Sequence, residues 1–207
     1  CYILGVVHLL LLAFFIFFGV WPMVIFNVIS PIVYFKSVKL AKDGKIFALF
    51  LLDYIEISIH AMAASVCIGW DVGFEQFIFT LVPYGYFVCY EMFKGKKRYV
   101  TSSVLGVLNA TASILMRWYT YTHKPLYVIP DNVAFYMHQV NAILTYAAMF
   151  FFLILFLFEL QMNESGYEKQ NAILNHEASV DPLTTLLNRR SMQPYLEEAY
   201  KAKRKFC

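Results

Sequence analysis

The sequence predicts an all-α fold, a polytopic bundle of six transmembrane helices, and three observations support this. Apolar residues make up 60% of the 207 residues and charged residues only 15%, a balance far from that of a soluble domain. Largely apolar stretches of about 20 residues, the length that crosses a bilayer, recur along the chain. Lysine and arginine gather between these stretches rather than within them.

The helices follow from the spacing of the charged residues. Residues 1–35 carry no charge and are too long for one span, so we divide them at residues 19–22, which begin with glycine and end with proline. Glycine frees the backbone, and proline begins helices more readily than it continues them. An alternative with five helices treats residues 2–29 as one tilted, proline-kinked span. The six helices are predicted over residues 2–18, 22–37, 45–69, 75–93, 99–118 and 131–158.

The positive charges indicate the topology. Four lysines lie between residues 36 and 45, where the second helix ends and the third begins, and three lysines and an arginine lie between the fourth and fifth. The loops on the opposite side carry only Lys124 as a fixed positive charge. Because lysine and arginine prefer cytoplasmic loops, we expect a multi-pass protein of the inner or plasma membrane with both termini in the cytoplasm. The lipid bilayer is then its partner, and no nucleic acid is expected. The five-helix alternative places the N-terminus outside.

The composition changes abruptly after the sixth helix, where a polar, helix-compatible segment begins. We take residues 1–158 as the membrane domain and residues 159–180 as a linker helix. Leu160, Tyr167 and Leu174 stand seven residues apart and share one stripe of a helix, as in a short two-stranded coiled coil. A solvated tether is the alternative.

The stretch VDPLTTLLNRR begins the last part of the chain, residues 181–207. It contains the pattern D-x-L-T-x-L-x-N-R-R, formed by Asp181, Leu183, Thr184, Leu186, Asn188, Arg189 and Arg190. This pattern resembles the segment that opens GGDEF domains, the family of diguanylate cyclases. The resemblance covers about residues 177–207, and it implies that residues 181–207 are the start of an incomplete α/β GGDEF domain with its first helix. Thr185 stands where the family usually has glycine.

The resemblance implies a bacterial enzyme that joins two GTP molecules into cyclic di-GMP across a homodimer of GGDEF domains, in which carboxylates hold the Mg²⁺ that binds the phosphates. The metal-binding strand and the GGDEF loop are not among the 207 residues, so no catalytic residue, metal or cofactor is assigned here, and both ends look cut. Mg²⁺ and GTP are expected for the catalytic domain. The membrane domain is then expected to be a sensory or regulatory module that signals through the sixth helix and the linker. The alternative is a passive membrane anchor and dimerisation module of a degenerate GGDEF protein.

One face of the third helix is the candidate site within the membrane. At about 100° per residue, Asp53, Glu56 and His60 fall on one side of this helix. Ionisable groups at that depth are costly unless they face the bundle interior, and we expect His138 and Gln139 of the sixth helix to face them. Three interpretations stay open: a buried polar clamp, a site for a proton or an unknown small ligand, and a metal or haem site. The candidate clamp partners on other helices are Asn27, Asn109, His138, Gln139 and Asn141.

A second candidate region is the loop GWDVGFEQ between the third and fourth helices. Trp70 is expected at the membrane interface, and Asp71 and Glu75 lie near the first turn of the fourth helix. In one interpretation these three residues line the mouth of an external site. In the other, the two carboxylates only stabilise the positive end of the helix dipole.

Overall fold

The computed structural model describes residues 2–202, and these are mostly helical. Two short 3₁₀ turns, Trp70–Val72 and Phe74–Gln76, interrupt the series of α-helices. No β-strand occurs in residues 2–202, although Val180 and Leu187 form an isolated antiparallel bridge. We number the α-helices in chain order: α1 Tyr2–Phe17, α2 Trp21–Lys42, α3 Ile46–Ile68, α4 Phe77–Met92, α5 Lys96–Thr122, α6 Asp131–Ser179 and α7 Arg189–Lys201.

Four of the helices in the described part of the chain, α2, α3, α5 and α6, are long and apolar enough to cross a membrane by length and composition. α1 and α4 have 16 residues each, which is short for a span. Large apolar side chains such as Phe35, Ile114 and Phe150 lie exposed on the helices, a surface that favours contact with lipid over water. The all-helical fold is confirmed, and its long apolar helices fit a membrane bundle. The count of six spans stays a prediction.

α1 and α2 are joined by a tight turn. The backbone turns at Gly19 with a φ of 66°, and α2 begins at Trp21 with Pro22 in its first turn. Glycine adopts this left-handed conformation without the steric cost that a side chain brings. The single helix of the five-helix alternative, residues 2–29, is therefore wrong, because the turn at Gly19 ends the first helix.

Several helices run further than the charge spacing predicts. α2 continues to Lys42 instead of residue 37, and α5 spans Lys96–Thr122 instead of residues 99–118. Lysine is a good helix former, and its long side chain carries the charge away from an apolar surface, so a charged residue does not end a helix. α6 continues through most of the predicted linker to Ser179.

The chain separates into two compact units, Cys1–Phe156 and Leu157–Cys207. The first unit contains two buried apolar clusters. One includes Phe15, Met23 and Phe74, which are completely buried where α1 and α2 meet the segment between α3 and α4. The other lies between α3 and α4 and consists of Phe50, Tyr54, Leu81 and Val88. Polar side chains are also buried in this unit, and they form the candidate site.

Candidate functional site

Six buried polar side chains from three helices meet in the first unit. One comes from α1, three from α2 and two from α3, and each residue is 8% exposed or less. Burial of such groups is unfavourable unless they are hydrogen-bonded. A carboxylate and two imidazoles are therefore held here by specific partners. We name this set the Glu56 network: His8, Asn27, Ser30, Tyr34, Glu56 and His60.

The Glu56 carboxylate accepts hydrogen bonds from α2 at both oxygens. Ser30 Oγ donates to Oε1 at 2.5 Å, and the Tyr34 hydroxyl donates to Oε2. Ser30 and Tyr34 are one helical turn apart, so α2 presents both hydroxyls on one side. His8 Nε2 of α1 lies 3.6 Å from Oε1, a distance at which a protonated imidazole forms an ion pair. Three helices therefore share this carboxylate.

Asn27 joins the two histidines. Its Oδ1 accepts from His8 Nδ1 at 2.8 Å. Its Nδ2 donates to the Met23 carbonyl at 2.7 Å and to His60 Nε2 at 3.2 Å. This pattern puts a proton on His8 Nδ1 and leaves His60 Nε2 as an acceptor, an assignment that follows from the hydrogen-bond network. The two imidazole rings pack edge to face with centroids 4.7 Å apart.

Asp53 has a different partner. It is 4% exposed, and its Oδ1 accepts a hydrogen bond from Ser37 Oγ of α2 at 2.5 Å. The three ionisable residues of α3 that the sequence singles out are thus all buried. Two of them, Glu56 and His60, belong to the same network.

His138 and Gln139 of α6 lie elsewhere. His138 Nε2 is 3.1 Å from Gln76 Nε2, between α3 and α4, and Gln139 is exposed. No hydrogen bond in residues 2–202 joins either residue to the α3 site. The imidazole that faces Glu56 comes instead from His8, which sequence reasoning missed. The one sequence feature that pointed to His8 was that it is an ionisable residue within an otherwise apolar helix.

The other amides proposed as clamp partners are divided among several places. Asn27 lies at the centre of the Glu56 network, whereas Asn141 donates to the Val72 carbonyl at 3.0 Å. Asn109 of α5 is 5% exposed. Within the described residues, no group of three or more His, Cys, Asp or Glu side chains is placed to hold a metal ion.

Residues 69–76, which we name the α3–α4 loop, pack against α6. Besides the Gln76–His138 contact, Val72 accepts from Asn141 as described above. Gly73 has a φ of 85°, and a Cβ there would lie 2.9 Å from His138 Nδ1 and 2.6 Å from Gln76 Nε2. Only glycine fits both this conformation and this close approach. The loop therefore has specific contacts with one helix of the bundle.

Trp70 and Asp71 lie at the outer part of this loop. Trp70 is half-buried and Asp71 is exposed. The Arg117 guanidinium of α5 lies 5.2 Å from the centre of the Trp70 ring, within the range of a cation–π contact. An aromatic ring and an arginine thus connect the loop to α5.

Glu75 is the buried acid of the α3–α4 loop. It is 3% exposed, and within residues 2–202 its Oε2 has no hydrogen-bond partner. Burial raises the pKa of Glu75 to about 7, the negative charge of Asp71 acts in the same direction, and a backbone hydrogen bond and Arg117 oppose it. This carboxyl therefore gains and loses its proton near neutral pH.

Asp181 and Asn188 organise the segment that carries the D-x-L-T-x-L-x-N-R-R pattern. Asp181 Oδ1 accepts from the backbone amides of Thr184 and Leu183 at 3.0 Å each, and these bonds hold the pKa of Asp181 below its usual range. The Asn188 side chain caps α7 by accepting from the Ser191 amide at 3.0 Å. Both residues thus have definite roles in the local structure.

Thr185 adopts a backbone conformation that suits glycine. Its φ is 58°, and it is the only residue other than glycine with a positive φ in the described part of the chain. A β-branched side chain is strained there, whereas glycine is not. The backbone of this turn therefore favours glycine at residue 185.

No protein-family model matches the chain, and no curated protein and no solved structure is detectably similar to it. A functional proposal for this chain therefore depends on two features. They are the pattern of residues that begins at Asp181 and the geometry of the buried polar groups.

Proposed function

We propose that residues 1–158 are the membrane sensory module of a diguanylate cyclase. The observation that carries this proposal is the D-x-L-T-x-L-x-N-R-R pattern, which begins two residues after the end of α6 at Ser179. In this proposal α6 leads from the membrane into the cytoplasm, and both termini are cytoplasmic. Residues 159–180 carry the signal to a GGDEF domain that begins at Asp181.

The Glu56 network supports a sensory role. A charged side chain such as aspartate or lysine at the centre of a bilayer costs about 2.5–3.5 kcal/mol on insertion scales, and ionisable residues within membrane helices commonly mark functional sites. Here a carboxyl group and two imidazoles are linked across α1, α2 and α3, because Asn27 contacts both His8 and His60, and His8 Nε2 lies 3.6 Å from Glu56 Oε1. A proton or a small polar ligand that changes one of these hydrogen bonds changes the packing of three helices.

The α3–α4 loop offers a route from this network to α6. The Phe74 ring, which is completely buried, lies 6.0 Å from the His60 ring. The neighbouring residues of the loop contact α6 at His138 and Asn141. A change at His60 that shifts Phe74 therefore reaches α6 through packed side chains.

In this proposal the catalytic domain condenses two GTP molecules and holds Mg²⁺. Phosphoryl transfer of this kind needs carboxylates for the metal and an in-line arrangement of the two nucleotides. Two GTP molecules that react with each other require two active sites facing one another, so the protein works as a homodimer. The membrane module then controls how the two catalytic domains meet.

Cyclic di-GMP production by the full-length protein tests the proposal. The full-length protein, a form lacking residues 1–158, and the variant Glu56→Gln are reconstituted or expressed at equal levels, and product formed from GTP is measured. We expect product from the full-length protein and altered output from both changed forms. Absence of any product means that the catalytic assignment is wrong, and equal output from all three means that the membrane part does not regulate.

A passive membrane anchor is the second candidate function. It is favoured by the complete hydrogen bonding of Glu56, since both carboxylate oxygens have donors, as in a clamp that only holds helices together. In this case Glu56→Gln weakens the bundle but leaves the output per inserted molecule unchanged. Normal insertion with altered cyclase output favours the sensor instead.

A further inference from the structure

Glu75 is an acidic side chain that is buried without a full set of partners. At 3% exposure it lies inside the first unit, and its Oε2 accepts no hydrogen bond from any described residue. A charged carboxylate in that position loses its hydration without enough hydrogen bonds to replace it. A protonated carboxyl loses less hydration free energy on burial and needs fewer hydrogen bonds in return. The packed position of Glu75 therefore favours the protonated form.

The residues on either side of Glu75 hold the loop against α6. Gln76 contacts His138, and Val72 accepts from Asn141. Gly73 is in close contact with the His138 backbone and ring, so the loop has little room to shift while this contact is made. Any movement that brings Glu75 to solvent must loosen these contacts.

We propose that the Glu75 carboxyl is a proton-binding site that controls whether the α3–α4 loop stays packed against α6. With the proton bound, the neutral side chain stays buried and the loop keeps its contacts with His138 and Asn141. When the proton leaves, the charged side chain turns towards water and the loop separates from α6. This inference rests on the proposed function in one respect. The proposed topology puts the α3–α4 loop on the outer side of the membrane, so the stimulus would be the acidity outside the cell.

The direction of the pH effect follows from the packed state. Burial raises the pKa of Glu75 there to about 7, above its ordinary value. A raised pKa means that the packed loop has its full stability below the ordinary pKa of glutamate, about 4.3, and loses it as the pH rises through about 7. Acid therefore closes the loop onto α6, and neutral or basic solution releases it.

The other titratable groups around Glu75 are few. Asp71 in the loop and Arg117 of α5 act on it in opposite directions. From α6, His138 faces Gly73 and Gln76. From α3, His60 lies against Phe74 and Cys67 is buried in the apolar cluster next to it, and the first turn of α4 carries no titratable side chain.

Fluorescence of Trp70 tests this inference without any need for cyclase activity. Trp21 and Trp118 are more than 60% exposed, and we replace both by phenylalanine in the 207-residue chain in lipid nanodiscs, which leaves Trp70 as the single tryptophan of these residues. We expect a transition in the Trp70 emission with a midpoint near pH 7. Absence of a transition between about pH 5 and pH 9 contradicts the proposal.

Two variants identify the group that titrates. Glu75→Gln is a neutral analogue of the protonated side chain, and we expect it to keep the low-pH emission at every pH. Asp71→Asn changes the exposed acid of the same loop, and we expect it to keep the transition with only a small fall in its midpoint. A full transition in Glu75→Gln assigns the pH response to His138 or another group and overturns the proposal.

Asn141→Ala tests the coupling to α6 and remains informative if Glu75→Gln does not fold. It removes the donor to the Val72 carbonyl, so the loop opens more easily and the midpoint is expected to move to lower pH. An unchanged midpoint means that Glu75 titrates without moving the loop, which contradicts the proposal. If the protein shows the pH transition but makes no cyclic di-GMP, this inference is supported and only the proposed function is contradicted.

Discussion

Tyr34 of α2 donates a hydrogen bond to the Glu56 carboxylate of α3, while its ring lines a groove between α1 and α2. The groove has a volume of about 170 Å³, and the side chains around it are apolar apart from the Tyr34 hydroxyl. Tyr34 is only 2% exposed. One aromatic ring therefore separates an apolar groove from a buried carboxyl group, and its hydroxyl is one of the two donors that α2 gives to that group.

Tyr34→Phe removes this donor and keeps the ring. We expect a loss of about 1–3 kcal/mol in the free energy of unfolding, because one oxygen of a buried carboxylate is left without a partner. Thermal unfolding in detergent or nanodiscs measures the effect. The matched control is Tyr86→Phe, whose hydroxyl lies 3.4 Å from Ser103 at the exposed surface, and it should change little. If the two substitutions change the free energy of unfolding equally, the hydrogen bond to Glu56 stabilises the protein no more than the bond at the surface does.

The contact between His8 and Asn27 is expected to be energetically coupled. Single substitutions His8→Leu and Asn27→Ala each break the 2.8 Å hydrogen bond, so the double variant should be less destabilised than the sum of the two. A double-mutant cycle on unfolding free energies should give a coupling of about 0.5–3 kcal/mol. Strict additivity contradicts direct contact between α1 and α2 at this point.

The Glu56 network illustrates what periodicity predicts and what it does not. Helical spacing alone puts Asp53, Glu56 and His60 on one side of α3, because side-chain direction is a local property. Which helix faces that side is a matter of tertiary packing. The sequence favours His138 of α6, but the structure brings in His8 of α1, whose single polar side chain gives no periodic pattern.

At the helix ends, too, the sequence predicts some features correctly and others wrongly. Gly19 predicts the turn before α2 correctly, since glycine and proline act on the local backbone. Lys42 and Lys96 lie inside helices that charge spacing ends earlier, because lysine favours the helix and can reach the membrane surface. The change from apolar to polar residues at residue 159 likewise does not end α6, because the backbone hydrogen bonds of a helix form both in lipid and in water.

Gly73→Ala should release the α3–α4 loop from α6. The added Cβ would approach His138 Nδ1 to 2.9 Å, and the φ of 85° is unfavourable for alanine, so both the loop and the helix must give way. We expect a loss of at least about 1 kcal/mol in unfolding free energy.

Gly106→Ala is the matched control for this change. Gly106 lies within α5 and a Cβ there meets nothing within 4 Å. Alanine is the better helix former, by about 1 kcal/mol in a helix interior, so this variant should be neutral or more stable. If Gly73→Ala is as stable as Gly106→Ala, the close packing of the loop against α6 is contradicted.

Thr185→Gly should stabilise the turn between α6 and α7. The left-handed conformation costs a side chain about 1–2 kcal/mol, and the extra flexibility of glycine offsets part of this gain. We expect the amide of Asn188, which bonds to the Ser179 carbonyl at 2.9 Å, to exchange its hydrogen about twofold to fivefold more slowly. Thr184→Gly should do the opposite, because it removes the hydroxyl that donates to Asp181 at 3.1 Å. Faster exchange in Thr185→Gly means that the threonine side chain stabilises this turn in spite of its φ of 58°, which contradicts the prediction.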